Sequence, residues 1–176
     1  DNKEINAAIS VLKNKSLTLI DGPSVKILEK KISRLFGKKY GLMVNSGSSA
    51  NLLGLASFDL KKGSEVITPT LTFSTTLAPI YQLVLIPHFI DVDENTFTAK
   101  ISQIKKAINK KTKAIIIPNL LGNVPDWKEI YKIAKHYKLK IIEDSADTIG
   151  YTINKNHYGK YLSLIHISEP TRLRTI

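Results

Sequence analysis

Residues 114–144 read AIIIPNLLGNVPDWKEIYKIAKHYKLKIIED, and this stretch decides the fold. Ala114–Ile117 is a fully apolar run, closed by Pro118. Trp127–Tyr137 reads as a helix that Asp126 can cap. Leu139–Ile142 is a second apolar run, and it ends in Glu143-Asp144. Two short apolar strands joined through a helix form a crossover unit. Continuous apolar strands, without polar alternation, belong in a parallel sheet buried on both faces.

Working outward, the same alternation recurs. The spacing of Val25, Leu28, Ile32, Leu35 and Phe36 predicts an amphipathic helix over Val25–Phe36, with Gly22-Pro23 and Ser24 at its start and Gly37 at its end. Tyr40–Val44 is a short apolar run that reads as a strand. A small-residue loop follows it, then a helix over Ala50–Ser57. Glu65–Thr68 and Leu85–Val92 read as strands. Ser74–Gln82, started or disturbed by Pro79, and Ile101–Ile108 read as helices. Gly150–Tyr161 reads as a hairpin turning near Asn154-Lys155-Asn156. The expected class is α/β, a mostly parallel sheet with helices on both faces. In such sheets ligands sit at the carboxyl ends of the strands, which directs attention to the loops after Val44, Thr68, Ile117 and Ile142.

Bulk properties narrow the function classes. The chain has 176 residues and no cysteine, which excludes disulfides and thiolate metal sites. The histidines, His88, His136, His157 and His166, show no ligand spacing, so no zinc site is expected. No apolar run is long enough to span a bilayer, and no leader-like start is visible. The expectation is a cytoplasmic protein without membrane contact. The net charge of +11 comes from dispersed lysines among Asn and Ile. They are not interleaved with aromatics, so a solvated basic surface is favoured over nucleic-acid binding.

Four loops carry chemistry. Asn45-Ser46-Gly47-Ser48-Ser49-Ala50 places glycine and hydroxyls at a helix start, where free N–H groups and the helix dipole favour a phosphate. It matches neither the Walker nor the Gly-x-Gly-x-x-Gly pattern. A Ser-capped helix without a ligand is the equal alternative. Phe73, in a loop of hydroxyls, can stack on an aromatic ligand or join the core. Glu143, Asp144 and Asp147 follow a buried strand, where carboxylates need a cationic or donor partner. Asn119 is placed to hydrogen-bond a ligand, and Gly122-Asn123 to turn the chain.

Together these stretches resemble the DegT/DnrJ/EryC1/StrS family of sugar aminotransferases and dehydratases, which are fold-type-I pyridoxal-phosphate (PLP) enzymes. The resemblance runs from about Leu17 to Lys160. It is carried by Gly22-Pro23-Ser24-Val25, VNSGSSANLL (44–53), VITPTLTFSTT (66–76), FIDVDENTF (89–97) and IIEDSADTIG (141–150). It implies the PLP-binding large domain, in part, over residues 1–162. It also implies that Gly47, Ser48 and Ser49 hold the cofactor phosphate, that Phe73 stacks on the ring and that Asp144 pairs with the ring nitrogen. Asn119 and Asp147 would lie near the cofactor.

Asp147 stands where many aminotransferases of the family have Gln or His. With VNSGSSANLL and PNLLGN, it is more similar to the deoxysugar 3-dehydratase branch, which uses pyridoxamine phosphate (PMP) on 4-keto-6-deoxy nucleotide sugars. A nucleotide-sugar aminotransferase is the alternative, and a non-enzymatic basic binding domain a third. The resemblance further implies a homodimer and a reductase or amino donor. The cofactor-tethering lysine, or the histidine replacing it in the dehydratase branch, falls beyond Lys160. No catalytic residue is therefore assigned, and the 176-residue chain is expected to be inactive. The stretch 163–176, SLIHISEPTRLRTI, switches from lysine to Arg172 and Arg174 and resembles a translated adapter, so it is read as a non-native tail.

Overall fold

The computed structural model describes residues 1–149 and the backbone of 152–153, 156–157 and 164–166. The chain divides into two compact units, Asp1–Met43 and Val44–Ile176.

The first unit holds two helices, α1 (Asn2–Lys13) and α2 (Pro23–Leu35). The sequence reading assigned no element to α1. Its start is a capping box: the Asp1 carboxylate accepts from the Lys3 and Glu4 amides at 2.8 and 3.1 Å. In α2, Pro23 occupies the first turn, where a missing N–H costs nothing. The strand expected over Tyr40–Val44 does not form. A strand requires a hydrogen-bonding neighbour, and among the described residues no segment pairs with this one. The Met43 amide instead donates to Glu29 Oε1 at 2.7 Å.

The second unit is the α/β part. In chain order it runs α3 (Gly47–Ala56), β1 (Glu65–Pro69), α4 (Ser74–Gln82), β2 (Ile86–Ile90), α5 (Ile101–Ala107), β3 (Thr112–Pro118), α6 (Trp127–Tyr137) and β4 (Lys140–Asp144). Two short strands, β5 (Thr152–Ile153) and β6 (Asn156–His157), pair antiparallel where the hairpin was expected; residues 154 and 155 of its turn lie outside the described residues. β7 (Leu164–His166) pairs with β4, and so three residues of the stretch read as a tail extend the sheet. The rest of that stretch lies outside the described residues.

The main sheet has the order β2-β1-β3-β4-β7, and all its pairs are parallel. Alternation along the strands sends side chains to opposite faces. Ile67, Ile115, Ile117 and Ile141 pack with Ile104 of α5 and with Trp127, Ile130 and Ile133 of α6. Val66, Ala114, Ile116 and Ile142 pack with Leu55 of α3 and Ile80 of α4. Helices therefore cover both faces, as the apolar strands require. From β1 the chain first goes to β2 on one side, then returns to β3 on the other. That reversal between β1 and β3 makes a crevice at the strands' carboxyl ends, where ligands bind in such sheets. Among the described residues no helix is long and apolar enough to cross a membrane.

Candidate active site

The site is built from the loops at that end of the sheet. β4 ends in two carboxylates, and the strand's alternation separates them. Asp144 shares the face of Ile142 and points toward α3 and α4. Glu143 shares the face of Ile141 and points toward α6.

Asp144 is buried, and two helices supply its donors. Asn51 Nδ2 of α3 and Thr76 Oγ1 of α4 both donate to Asp144 Oδ2, each at 2.9 Å. The backbone amide of Ala146 donates to the other oxygen, Oδ1, at 3.3 Å. Neither Asn51 nor Thr76 was singled out from the sequence. A signal existed for Asn51, a polar residue inside an otherwise apolar helical run, where burial demands a partner. Pro79 contributes indirectly. Lacking an N–H, it leaves the carbonyl of Thr75, four residues earlier, without its helical donor. Asn51 Nδ2 donates to that carbonyl as well, at 3.3 Å.

α3 begins three residues earlier than expected, because Ser46 caps it. Ser46 is extended (φ −161°, ψ 160°), and its Oγ accepts from the Ser49 amide at 3.2 Å. Gly47 and Ser48 thus open the helix, on the same face of the sheet as Asp144. The Ser48 side of the helix is open: a groove of about 160 Å³ runs between Ser48, Ser49 and Leu52 of α3 and Thr75, Ala78 and Gln82 of α4. Phe73 immediately precedes α4 and is 66 % exposed, so it is not the core residue that one reading of the sequence allowed.

Asn119, expected to hydrogen-bond a ligand, makes its contacts within the protein. It is buried, and its amide is engaged inside the protein. Nδ2 donates to Glu143 Oε1 (2.7 Å), Thr148 Oγ1 (2.9 Å) and Ser145 Oγ (3.2 Å), while Oδ1 accepts from Trp127 Nε1 at 2.8 Å. Ser145 Oγ also donates to Glu143 Oε1, at 2.6 Å. Asn119 therefore answers the need of a buried carboxylate, Glu143, on the α6 face. Asp147 is exposed, and its Oδ2 accepts from the backbone amide of Leu121 at 3.0 Å. Leu121 has φ 55°, the left-handed region, so Asp147 holds the loop after β3 in a strained turn.

The arrangement suits a planar, phosphorylated, cationic ring. It offers an anion-favouring helix start, an exposed aromatic face, and a buried carboxylate held by neutral donors. Residues 1–168 match the DegT/DnrJ/EryC1/StrS aminotransferase family. The chain belongs to that family. It is 40% identical over 167 residues to GDP-4-keto-6-deoxy-D-mannose 3-dehydratase of Yersinia pseudotuberculosis, covering 92% of this chain and 42% of that one. The solved Escherichia coli GDP-4-keto-6-deoxy-D-mannose-3-dehydratase with bound hydrated PLP superposes with a TM-score of 0.83 at 40% identity, over 90% of this chain and 42% of that one. UDP-N-acetyl-3-dehydro-alpha-D-glucosamine 3-aminotransferase of Acidithiobacillus ferrooxidans is 35% identical over 144 residues, covering 82% of this chain and 39% of that one. The chain thus spans about two fifths of the length of these relatives. The α/β fold of the family's PLP enzymes is the fold found here.

Proposed function

We propose that this chain is the cofactor-binding part of a PMP- or PLP-dependent enzyme that removes the 3-hydroxyl of a nucleotide-linked 4-keto-6-deoxy sugar. The observation that carries the proposal is Asp144: a buried carboxylate at a strand's carboxyl end, on the face shared by the hydroxyl-rich start of α3 and the helix that Phe73 precedes. Gly47, Ser48 and Ser49 bind the cofactor phosphate through N–H groups and hydroxyls. Phe73 covers one ring face. Asp144 faces the ring nitrogen and keeps it protonated. When bound, the cofactor would supply an amine for the sugar carbonyl and an electron sink for the bond changes that follow.

Asp147 acts by shaping the loop at Leu121 rather than by touching the ring. Dehydration is favoured over amino transfer by the higher identity to the dehydratase, 40% against 35% for the aminotransferase. Asp147 and the sequence PNLLGN support the same choice. The substrate in this reading is a nucleotide sugar. A homodimer, a reductase and a cytoplasmic setting complete the proposal for the whole enzyme.

The test uses the complete protein with PMP and GDP-4-keto-6-deoxymannose. Release of the 3-hydroxyl as water, with an Asp144→Asn variant inactive, is the expected result. Formation of a 4-amino sugar from an amino donor would move the assignment to aminotransferase. Absence of any PMP binding would remove the cofactor enzyme altogether.

A further inference from the structure

Resting on that reading of Asp144, we propose that Asn51 and Thr76 are positioning residues that hold the Asp144 carboxylate ionised and turned toward the cofactor ring. Both side chains are fully buried, and both direct a donor at the same oxygen, Oδ2. Donors converging on a carboxylate favour its charged form and offset the cost of burying it. They also fix its rotation, with Oδ2 turned to the two helices and Oδ1 toward the Ala146 amide at 3.3 Å.

The Asn51 amide is committed to this task. Its Nδ2 reaches Asp144 and the Thr75 carbonyl that Pro79 leaves free, while its Oδ1 meets no donor among the described residues. Reversing the amide would set its oxygen against a carboxylate, so the orientation follows from the charge of Asp144.

The two donors also couple the three cofactor contacts. Asn51 lies one turn inside α3 from Gly47 and Ser48. Thr76 lies three residues past Phe73, and its amide donates to the Phe73 carbonyl at 3.0 Å. The phosphate end, the ring face and the ring nitrogen are thereby set relative to one another through a single carboxylate oxygen.

The test compares PMP with its 1-deaza analogue, in which a carbon replaces the ring nitrogen. PMP carries an amine in place of the aldehyde, so it does not condense with surface lysines. Dissociation constants are measured by calorimetry for the complete protein and its variants. Wild type is expected to prefer PMP. Thr76→Val, of similar volume, is expected to reduce that preference about ten-fold by weakening PMP alone, as loss of a hydrogen bond to a charged group does. Thr76→Ser should retain the preference, and Asn51→Ala should reduce it. Equal weakening of both ligands by Thr76→Val would assign the two residues to packing and overturn this inference while leaving the cofactor reading intact. A wild-type protein that shows no preference for PMP, or binds neither ligand, would remove the assigned role of Asp144 and this inference with it.

Discussion

Glu143 and Asp144 are consecutive residues whose carboxylates lie on opposite faces of one sheet. Asp144 is met by Asn51 and Thr76 on the α3/α4 face, and Glu143 by Asn119 and Ser145 on the α6 face. Similar chemistry in sequence therefore has two settings: one carboxylate is held by α3 and α4, the face on which the cofactor is proposed to bind, and the other links the ends of β3 and β4. Glu143→Leu should destabilise the fold by about 2–3 kcal/mol, because the Asn119 amide and the Ser145 hydroxyl lose their buried acceptor. Asp144→Asn keeps an oxygen for Asn51 and Thr76 and should cost about 1 kcal/mol or less, while abolishing the preference for a nitrogen-bearing ring. Urea denaturation beside PMP titration separates the two. Equal stability losses would show that the faces are not functionally distinct.

Phe73 contributes surface, not core. At 66 % exposure its removal leaves little cavity, so Phe73→Ala should change stability by less than about 0.5 kcal/mol. Loss of one aromatic contact should weaken PMP about three- to ten-fold. A large drop in the denaturation midpoint would instead make Phe73 a packing residue.

The crossover pattern was legible because buried parallel strands are apolar throughout, as in Ala114–Ile117. The same uniformity hid which carboxylate faces which helix layer. Apolar residues on both faces give no in-or-out alternation, so the residue pattern by itself did not separate Glu143 from Asp144; only the family resemblance did. The loop position of Asn119 was visible in the sequence, and its partners Glu143 and Trp127 were not. Tyr40–Val44 has the composition of a strand, but composition does not supply a neighbour. Thr76 was hidden in a run of hydroxyl residues, where only the packing of α4 against β4 selects one of them.

Trp127 tests the Glu143 network from its far end. Its indole N–H is a donor to Asn119 Oδ1, and both residues are buried. Trp127→Phe should therefore cost about 1–3 kcal/mol beyond its effect on packing, by leaving that oxygen without a donor. Combining it with Asn119→Leu should give less than the sum of the single losses, because the second change removes the stranded oxygen. Additive losses in urea denaturation would contradict the link.

Leu121 sits in the left-handed region, which disfavours a branched side chain by about 1–2 kcal/mol. Leu121→Gly removes that strain, adds unfolded-state entropy and buries nothing less, since Leu121 is exposed. The net change in stability should lie within about 1 kcal/mol of zero. Asp147→Ala should then be less damaging in the Gly background than alone, because glycine needs no carboxylate to hold the turn. A double-mutant cycle without coupling would separate Asp147 from the loop.

The amino end of the sheet carries a pH-dependent contribution. The Glu65 carboxyl is held below its ordinary value of 4.5, first by a hydrogen bond from Asn109 Nδ2 at 2.6 Å and then by His88 at 3.1 Å. A depressed carboxylate stabilises the fold above its unfolded value, and that gain is lost as pH falls through the lower folded value. Asn109→Ala should therefore lower stability at neutral pH and narrow its gap to wild type as pH drops below 4.5. A remainder independent of pH is expected, because Asn109 Oδ1 also accepts from the Lys111 amide at 2.8 Å. Urea midpoints measured from neutral pH into that acid range read both parts. A gap that stays constant, or widens toward acid, would show that Asn109 acts only through the turn and not through the charge of Glu65.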